Sequence, residues 1–157
     1  MSHTIRFRDS FVSGTINGII NGAIAWHTFG NQESVPISLN SISNTANTVW
    51  GEAISLTFGL GIILSLITAM ILKRSLQKST NPQLSSTLPP LFPTITVIAL
   101  NTAASLFGWF VVLAILWTRF FGEVYVSPLF ASMLVGVFAI LITALVEVKT
   151  KKAILKQ

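Results

Sequence analysis

The sequence contains no cysteine, so disulfide bonds, thiolate metal sites and thiol catalysis are excluded. Charge is also scarce: charged residues make up 10% of the 157 positions, against about 25% in typical soluble proteins. Apolar residues make up 52% of the chain. A soluble fold of this length could not bury so much apolar surface. The composition therefore predicts an integral membrane protein.

Catalytic and coupling signatures are missing as well. The sequence has no Gly-rich phosphate loop and no HExxH or GxSxG motif, and two histidines are too few to suggest a metal site. No carboxylate lies at the centre of an apolar run, and the two halves share no motif of an inverted-repeat transporter. We therefore expect neither an enzyme nor a bound metal or other cofactor.

Four apolar runs organise the chain, and each is long enough for the roughly 20 residues of a spanning helix. They predict helices at about residues 10–29, 50–72, 93–118 and 124–148. The first run could also be a signal peptide, because Ala23-Ile24-Ala25 resembles a cleavage site. The amides of Asn17 and Asn21 in its centre argue against cleavage. We expect an all-α membrane protein whose single domain, residues 1–157, is a compact bundle of four transmembrane helices.

The basic residues predict the orientation of these helices. Nine of the ten Lys and Arg residues fall in the N-terminal segment, the second loop or the C-terminal tail, and the exception is Arg119 in the third loop. Both termini should therefore be cytoplasmic. Four aromatic residues fall at the opposite helix ends and predict a belt at the outer interface: Trp26, Trp50, Trp117 and Tyr125. The net charge of +5 is thus explained by contact with the lipid bilayer, without nucleic acid as a partner.

The stretch GTINGIINGAIAW, residues 14–26, combines glycines and amides four residues apart within an apolar run. On a helix these residues share one face, and a small face lets a second helix approach closely while amides bond across the interface. The residues expected to pack helices are Gly14, Gly18, Gly22, Gly108 and Gly136. Polar residues on comparable faces of the other helices include Asn101, Ser105 and Ser132.

A polar residue inside a membrane either bonds a neighbouring helix or lines a binding site or pathway. The candidates for binding or lining are Asn17, Asn21, Glu52, Asn101, Ser105, Arg119 and Ser132. A solvated cavity shared by the three amides would favour transport, whereas amides that bond one another in a dry core would favour a structural role. Glu52 is either a hydrated interfacial anion or a partner of Arg119, for which Glu123 competes.

The first loop, residues 30–49, carries Val35, Ile37 and Leu39 in alternation with other residues. A two-residue period is typical of a strand with one apolar face. We expect this segment to cover the outer ends of the helices near Glu52 and Arg119. The alternative is a solvated, disordered loop, which its Ser and Asn content favours.

Three stretches, INGIINGAIAW (16–26), SVPISLNSIS (34–43) followed by WGEA (50–53), and ILWTRFFGEVYVSP (115–128), resemble a group of small four-helix bacterial membrane proteins. Members of this group are often labelled "permease" without a demonstrated activity. The resemblance covers most of the chain and implies the bacterial cytoplasmic (inner) membrane. It supplies no catalytic or binding residues.

We therefore expect a small inner-membrane transporter or channel-like module whose substrate the sequence does not identify. A four-helix chain has little room for a pathway of its own, so this module should be a homo-oligomer. The alternative is a non-transporting accessory, scaffold or lipid-binding protein that packs against a larger membrane partner.

Overall fold

A computed structural model describes residues 7–39, 47–79 and 91–155, with side chains described for residues 11–39, 47–71 and 95–153. The four helices are α1 (Phe7–Phe29), α2 (Val49–Ser79), α3 (Leu91–Phe121) and α4 (Pro128–Leu155). Two short strands lie between them, β1 (Val35–Ile37) and β2 (Val124–Val126). Arg6 and Lys156, which belong to the basic clusters at the termini, lie outside the described residues.

The fourth helix begins later than the sequence predicts. Residues 124–126 form β2, and α4 starts at Pro128, whose fixed φ suits the first helical position. Gly122 ends α3 with a φ of 68°, a conformation that glycine adopts without steric cost. The β-branched Val124 and Val126 beside Tyr125 then favour an extended backbone over a helical one. The helices α1, α2 and α3 are longer than predicted, most of all α2, which continues to Ser79.

Three helices are long and apolar enough to cross a membrane, over Val49–Ile71, Ile95–Phe121 and Pro128–Ala153. The first helix, which the sequence also predicts to span, is not among them. Its 23 residues include glycines, two asparagines and a histidine, which lower its mean hydropathy. The chain is thus an all-helical protein apart from two three-residue strands, with three candidate membrane spans.

The helices pack in the spatial order α1, α4, α2, α3. Extensive contacts join α1 to α4, α4 to α2, and α2 to α3, while α3 touches α4 over a smaller area. In the described part of the chain α1 makes no comparable contact with α2 or α3. The arrangement is therefore more open than the predicted compact bundle, because α1 adds to one side of a three-helix group.

The first loop forms part of a two-stranded antiparallel sheet. Val35 pairs with Val126, and Ile37 pairs with Val124. All three residues of β1 are buried, including Pro36, so the strand does not have the single apolar face that its alternation predicts. The backbone N–H of Leu39 also donates to Oγ1 of Thr118, at 3.3 Å. The sheet thereby covers one end of the helices.

The core lies beneath this sheet. Trp50 stacks on Phe138, with ring centroids 5.2 Å apart, and Phe110 meets Phe138 edge to face at 5.7 Å. Val35 and Ile37 of β1 belong to the same cluster. Away from this core, large apolar side chains on all four helices are exposed, as expected for surfaces that face lipid.

Candidate functional site

The glycine-containing face of α1 packs against α4 of the same chain. A Cβ added to Gly18 would lie 2.9 Å from the carbonyl oxygen of Gly136, and a Cβ added to Gly136 would lie 2.9 Å from the carbonyl oxygen of Gly18. Gly14 approaches Ile140 and Gly22 approaches Ser132 in the same way. The two backbones thus meet at a distance that only glycine permits at the centre of the interface.

The two amides of α1 are used within this interface. Nδ2 of Asn17 donates to Oγ1 of Thr143 on α4 at 3.0 Å, which is an interhelical hydrogen bond of the predicted kind. Nδ2 of Asn21 donates back to the carbonyl oxygen of Asn17 at 2.8 Å. On α4, Oγ of the buried Ser132 donates to the carbonyl oxygen of Pro128 at 2.7 Å. These polar groups therefore bond protein atoms.

The third amide lies on a different surface. Asn101 is exposed on α3 and shares one helix face with Ala104 and Gly108, which are exposed as well. A Cβ added to Gly108 would meet nothing within 4 Å, so none of the described helices approaches it. Asn101 makes no hydrogen bond within the described residues. We call Asn101, Ala104 and Gly108 the open face of α3.

The structure does not bring the three predicted amides together. Asn17 and Asn21 lie at the α1–α4 interface, whereas Asn101 lies on α3, which is not packed against α1. Ser105 is half-buried on the side of α3 that turns toward α4. The three amides therefore form neither the shared polar cavity that would favour transport nor the mutually bonded dry core that would favour a structural role.

Glu52 and Arg119 do not form the ion pair that was one of the sequence interpretations. The salt bridge in the described part of the chain joins Nζ of Lys151 to Oε2 of Glu147 at 3.0 Å. Glu52 is half-buried in the first turn of α2, and Arg119 is exposed near the end of α3. Oη of Tyr125 donates to Oε2 of Glu123 at 3.0 Å, and this bond raises the pKa of the Tyr125 phenol.

The predicted aromatic belt is only partly at the surface. Trp26 and Tyr125 are exposed, but Trp50 is buried among Phe110, Phe138 and Trp117. The first loop covers Trp50 through β1, a contact that the position of Trp50 at a helix end does not reveal. The indole N–H groups of Trp50 and Trp117 are buried and have no hydrogen-bond partner among the described residues.

One buried polar contact has no counterpart in the sequence interpretation. Oγ1 of Thr150 donates to Oγ of Ser65 at 3.1 Å, and both side chains are fully buried between α4 and α2. The sequence position of Thr150 did not indicate this contact. Thr150 lies among the lysines of the tail, where a hydroxyl group is expected to be solvated. The bond fixes the C-terminal part of α4 against the middle of α2.

Two grooves lie between the described helices. The groove between α1 and α4 has a volume of about 520 Å³, and the glycines Gly18, Gly22 and Gly136 contribute to its lining. The cleft between α3 and α4 has a volume of about 430 Å³, and its lining includes Ser105, Trp109 and two lysines. Of the predicted site residues, Ser132 belongs to the first groove and Ser105 to the second.

The described side chains include no group of three His, Asp or Glu residues that could hold a metal ion. No family model, curated protein or solved structure matches the chain. The predicted likeness to the small four-helix bacterial proteins therefore stays a prediction.

Proposed function

We propose that the protein is a four-span assembly module of the bacterial cytoplasmic membrane, with both termini in the cytoplasm, that associates with a second copy through the open face of α3. The observation that carries this proposal is the exposed amide of Asn101, which makes no hydrogen bond to any described residue. Within this proposal the protein organises membrane-embedded helices and does not itself transport a solute.

The first helix fits a transmembrane position despite its low mean hydropathy. Its small and polar side is covered by α4, whereas Ile16, Ile19, Ile20 and Ile24 are exposed on the other side. Lipid would then contact the isoleucines, and the amides would remain bonded inside the protein. The lysines and arginines near both termini support a cytoplasmic location for both ends.

The position of Asn101 makes an uncovered amide unfavourable in lipid. It lies six residues inside the candidate span Ile95–Phe121, or about 9 Å along the helix axis. A polar group at that depth is stabilised when another helix supplies a hydrogen-bond partner. Ala104 and Gly108 on the same face are small, so the backbone of a partner helix can come close to α3.

A second copy of the chain supplies the matching group. Two copies inserted with the same orientation place their α3 helices parallel, so the two Asn101 side chains lie at the same depth. A primary amide both donates and accepts hydrogen bonds, so two asparagines satisfy each other. A larger membrane partner could also cover this face, but it would need its own polar group at that depth.

The transporter interpretation requires a pathway between chains. In the described residues Asn17 bonds the side chain of Thr143, Asn21 and Ser132 bond backbone carbonyl oxygens, and Asn101 lies apart from them. A pathway would therefore have to pass along α3 between copies, lined by Asn101 and Ser105. Close contact between two open faces leaves no room for it, which is why we favour the assembly role.

Cysteine substitution tests the topology, because the natural chain has no cysteine to interfere. Ser34→Cys lies at an exposed position beside β1 and should react with a membrane-impermeant maleimide in intact spheroplasts. Lys152→Cys, exposed near the end of α4, should react only after permeabilisation. The reverse pattern would contradict the assignment of the termini to the cytoplasm.

The same approach tests the assembly. Gly108→Cys is on the open face of α3 and should form a disulfide-linked dimer when a mild oxidant is added to membranes. Ile19→Cys is the matched control, because Ile19 is also exposed but lies on the side of α1 assigned to lipid. Dimers of Ile19→Cys with none of Gly108→Cys would contradict the proposed interface.

A further inference from the structure

The cleft between α3 and α4 combines apolar walls with positive charge at one end. Its lining includes Trp109, Leu113 and Leu145, together with Lys149 and Lys152. Trp109 is 66% exposed, although it lies well inside the candidate span of α3 and not at a helix end. A large aromatic side chain at that position therefore forms a wall of the cleft and is left open to lipid.

The register of α4 against α2 places the two lysines level with the apolar part of α2. The bond between Thr150 and Ser65 aligns the lysine-bearing turn of α4 with Ser65 of α2. The apolar span of α2 continues past that level to at least Ile71, which is six residues or about 9 Å farther. Lys149 and Lys152 are thus level with apolar residues of α2 and do not lie beyond the end of its span.

These two lysines also have no acidic partner in the described part of the chain. The neighbouring Lys151 differs, because its ammonium group is held by Glu147. Lys149 and Lys152 are exposed, and neither takes part in a described ion pair or hydrogen bond. Two uncompensated ammonium groups beside an apolar cleft attract an anion that also carries an apolar tail.

We propose that the α3–α4 cleft binds one anionic phospholipid from the leaflet at the C-terminal end of α4. Its phosphate group contacts Lys149 and Lys152, and one acyl chain lies along Trp109, Leu113 and Leu145. This site lies on the flank of α3 that turns toward α4, apart from the open face that carries Asn101. It does not depend on association of two copies.

Native mass spectrometry of the full-length protein in neutral detergent tests this site. Titration with phosphatidylglycerol should show one tightly retained lipid per chain, whereas phosphatidylcholine with the same acyl chains should bind more weakly. Lys149→Gln and Lys152→Gln should each weaken phosphatidylglycerol binding roughly fivefold. Inorganic phosphate at the same concentration should not displace the lipid, because it cannot fill the apolar part of the cleft.

Two controls separate the cleft from general electrostatic attraction. Lys151→Gln removes the same charge from the same turn of α4, but its ammonium group is held by Glu147, so binding should change less than about twofold. Leu113→Ala should weaken binding of both lipids, because it shortens the apolar wall. Equal losses from all three lysine variants, or equal retention of the two lipids by the natural protein, would overturn the proposal.

Discussion

Two helices of this protein, α1 and α3, carry small residues and an amide on one face, but only the face of α1 is covered by another described helix. On α1, the glycine face is covered by α4, and Asn17 bonds Thr143 at 3.0 Å. On α3, the face formed by Asn101, Ala104 and Gly108 is open. The comparison shows that the first face is covered by a helix of the same chain, whereas no described helix covers the second, which we propose to be covered by another copy.

The largest expected effect comes from enlarging the centre of the covered face. Gly18→Leu would force the α1 and α4 backbones apart, because Gly18 is packed against the backbone of Gly136. We expect a loss of about 3 kcal/mol in the free energy of unfolding, at the upper end for overpacked sites. Reversible unfolding in mixed micelles measures it.

Ile19→Leu is the control for this variant, since Ile19 is exposed on the opposite side of α1. It should change stability by less than about 0.5 kcal/mol. Similar stabilities for the two variants would remove the argument that α1 is held by close approach of the backbones.

A second test uses the covered side of α3. Gly61 of α2 faces this side, and a Cβ at Gly61 would lie 2.8 Å from Cα of Ala103. Gly61→Ala should therefore destabilise the protein by about 1–3 kcal/mol in the same unfolding assay. The effect would show that α3 is already tightly packed on its inner side.

Gly59→Ala is the matched control, because a Cβ at Gly59 meets nothing within 4 Å and the same methyl group is added two residues away. It should be neutral or stabilise α2 by up to about 1 kcal/mol, through the higher helix propensity of alanine. If Gly59→Ala were the more harmful substitution, the assigned α2–α3 contact would be wrong.

A smaller effect is expected from the hydrogen bond across the covered face. Thr143→Val keeps the shape of the buried side chain but removes the acceptor for Asn17. The expected cost is about 0.6 kcal/mol, typical of hydrogen bonds between membrane helices. A double-mutant cycle with Asn17→Leu isolates the pairwise term, and a coupling energy of zero would show that the two side chains do not interact.

The spacing of residues in α1 predicted which face packs, since a helix places positions four apart on one side. Spacing could not predict the partner. It indicates that Gly18 lies on a contact surface but not that Gly136 of the same chain covers it. For the same reason the sequence grouped Asn101 with Asn17 and Asn21, although α3 and α1 are not neighbours.

The first loop shows a second limit of local patterns. Its alternation indicated a strand, but the pairing of Val35 with Val126 joins residues that are far apart along the chain. Val35 and Ile37 belong to the same buried cluster as Trp50, which its position at a helix start had assigned to the interfacial belt. The second strand could have been predicted from two β-branched residues beside a tyrosine, Val124-Tyr125-Val126, after Gly122. The sequence interpretation instead assigned this run to the fourth helix because it is apolar.

The most direct test replaces Asn101 and Asn17, one at a time, by leucine. Association of donor- and acceptor-labelled chains in lipid vesicles is measured by energy transfer, and unfolding is measured on the same preparations. Asn101→Leu should weaken association roughly three- to tenfold while leaving unfolding unchanged. Asn17→Leu should lower the stability of the chain while leaving association unchanged. If Asn101→Leu altered unfolding and left association intact, the open face of α3 would not be an interface between copies.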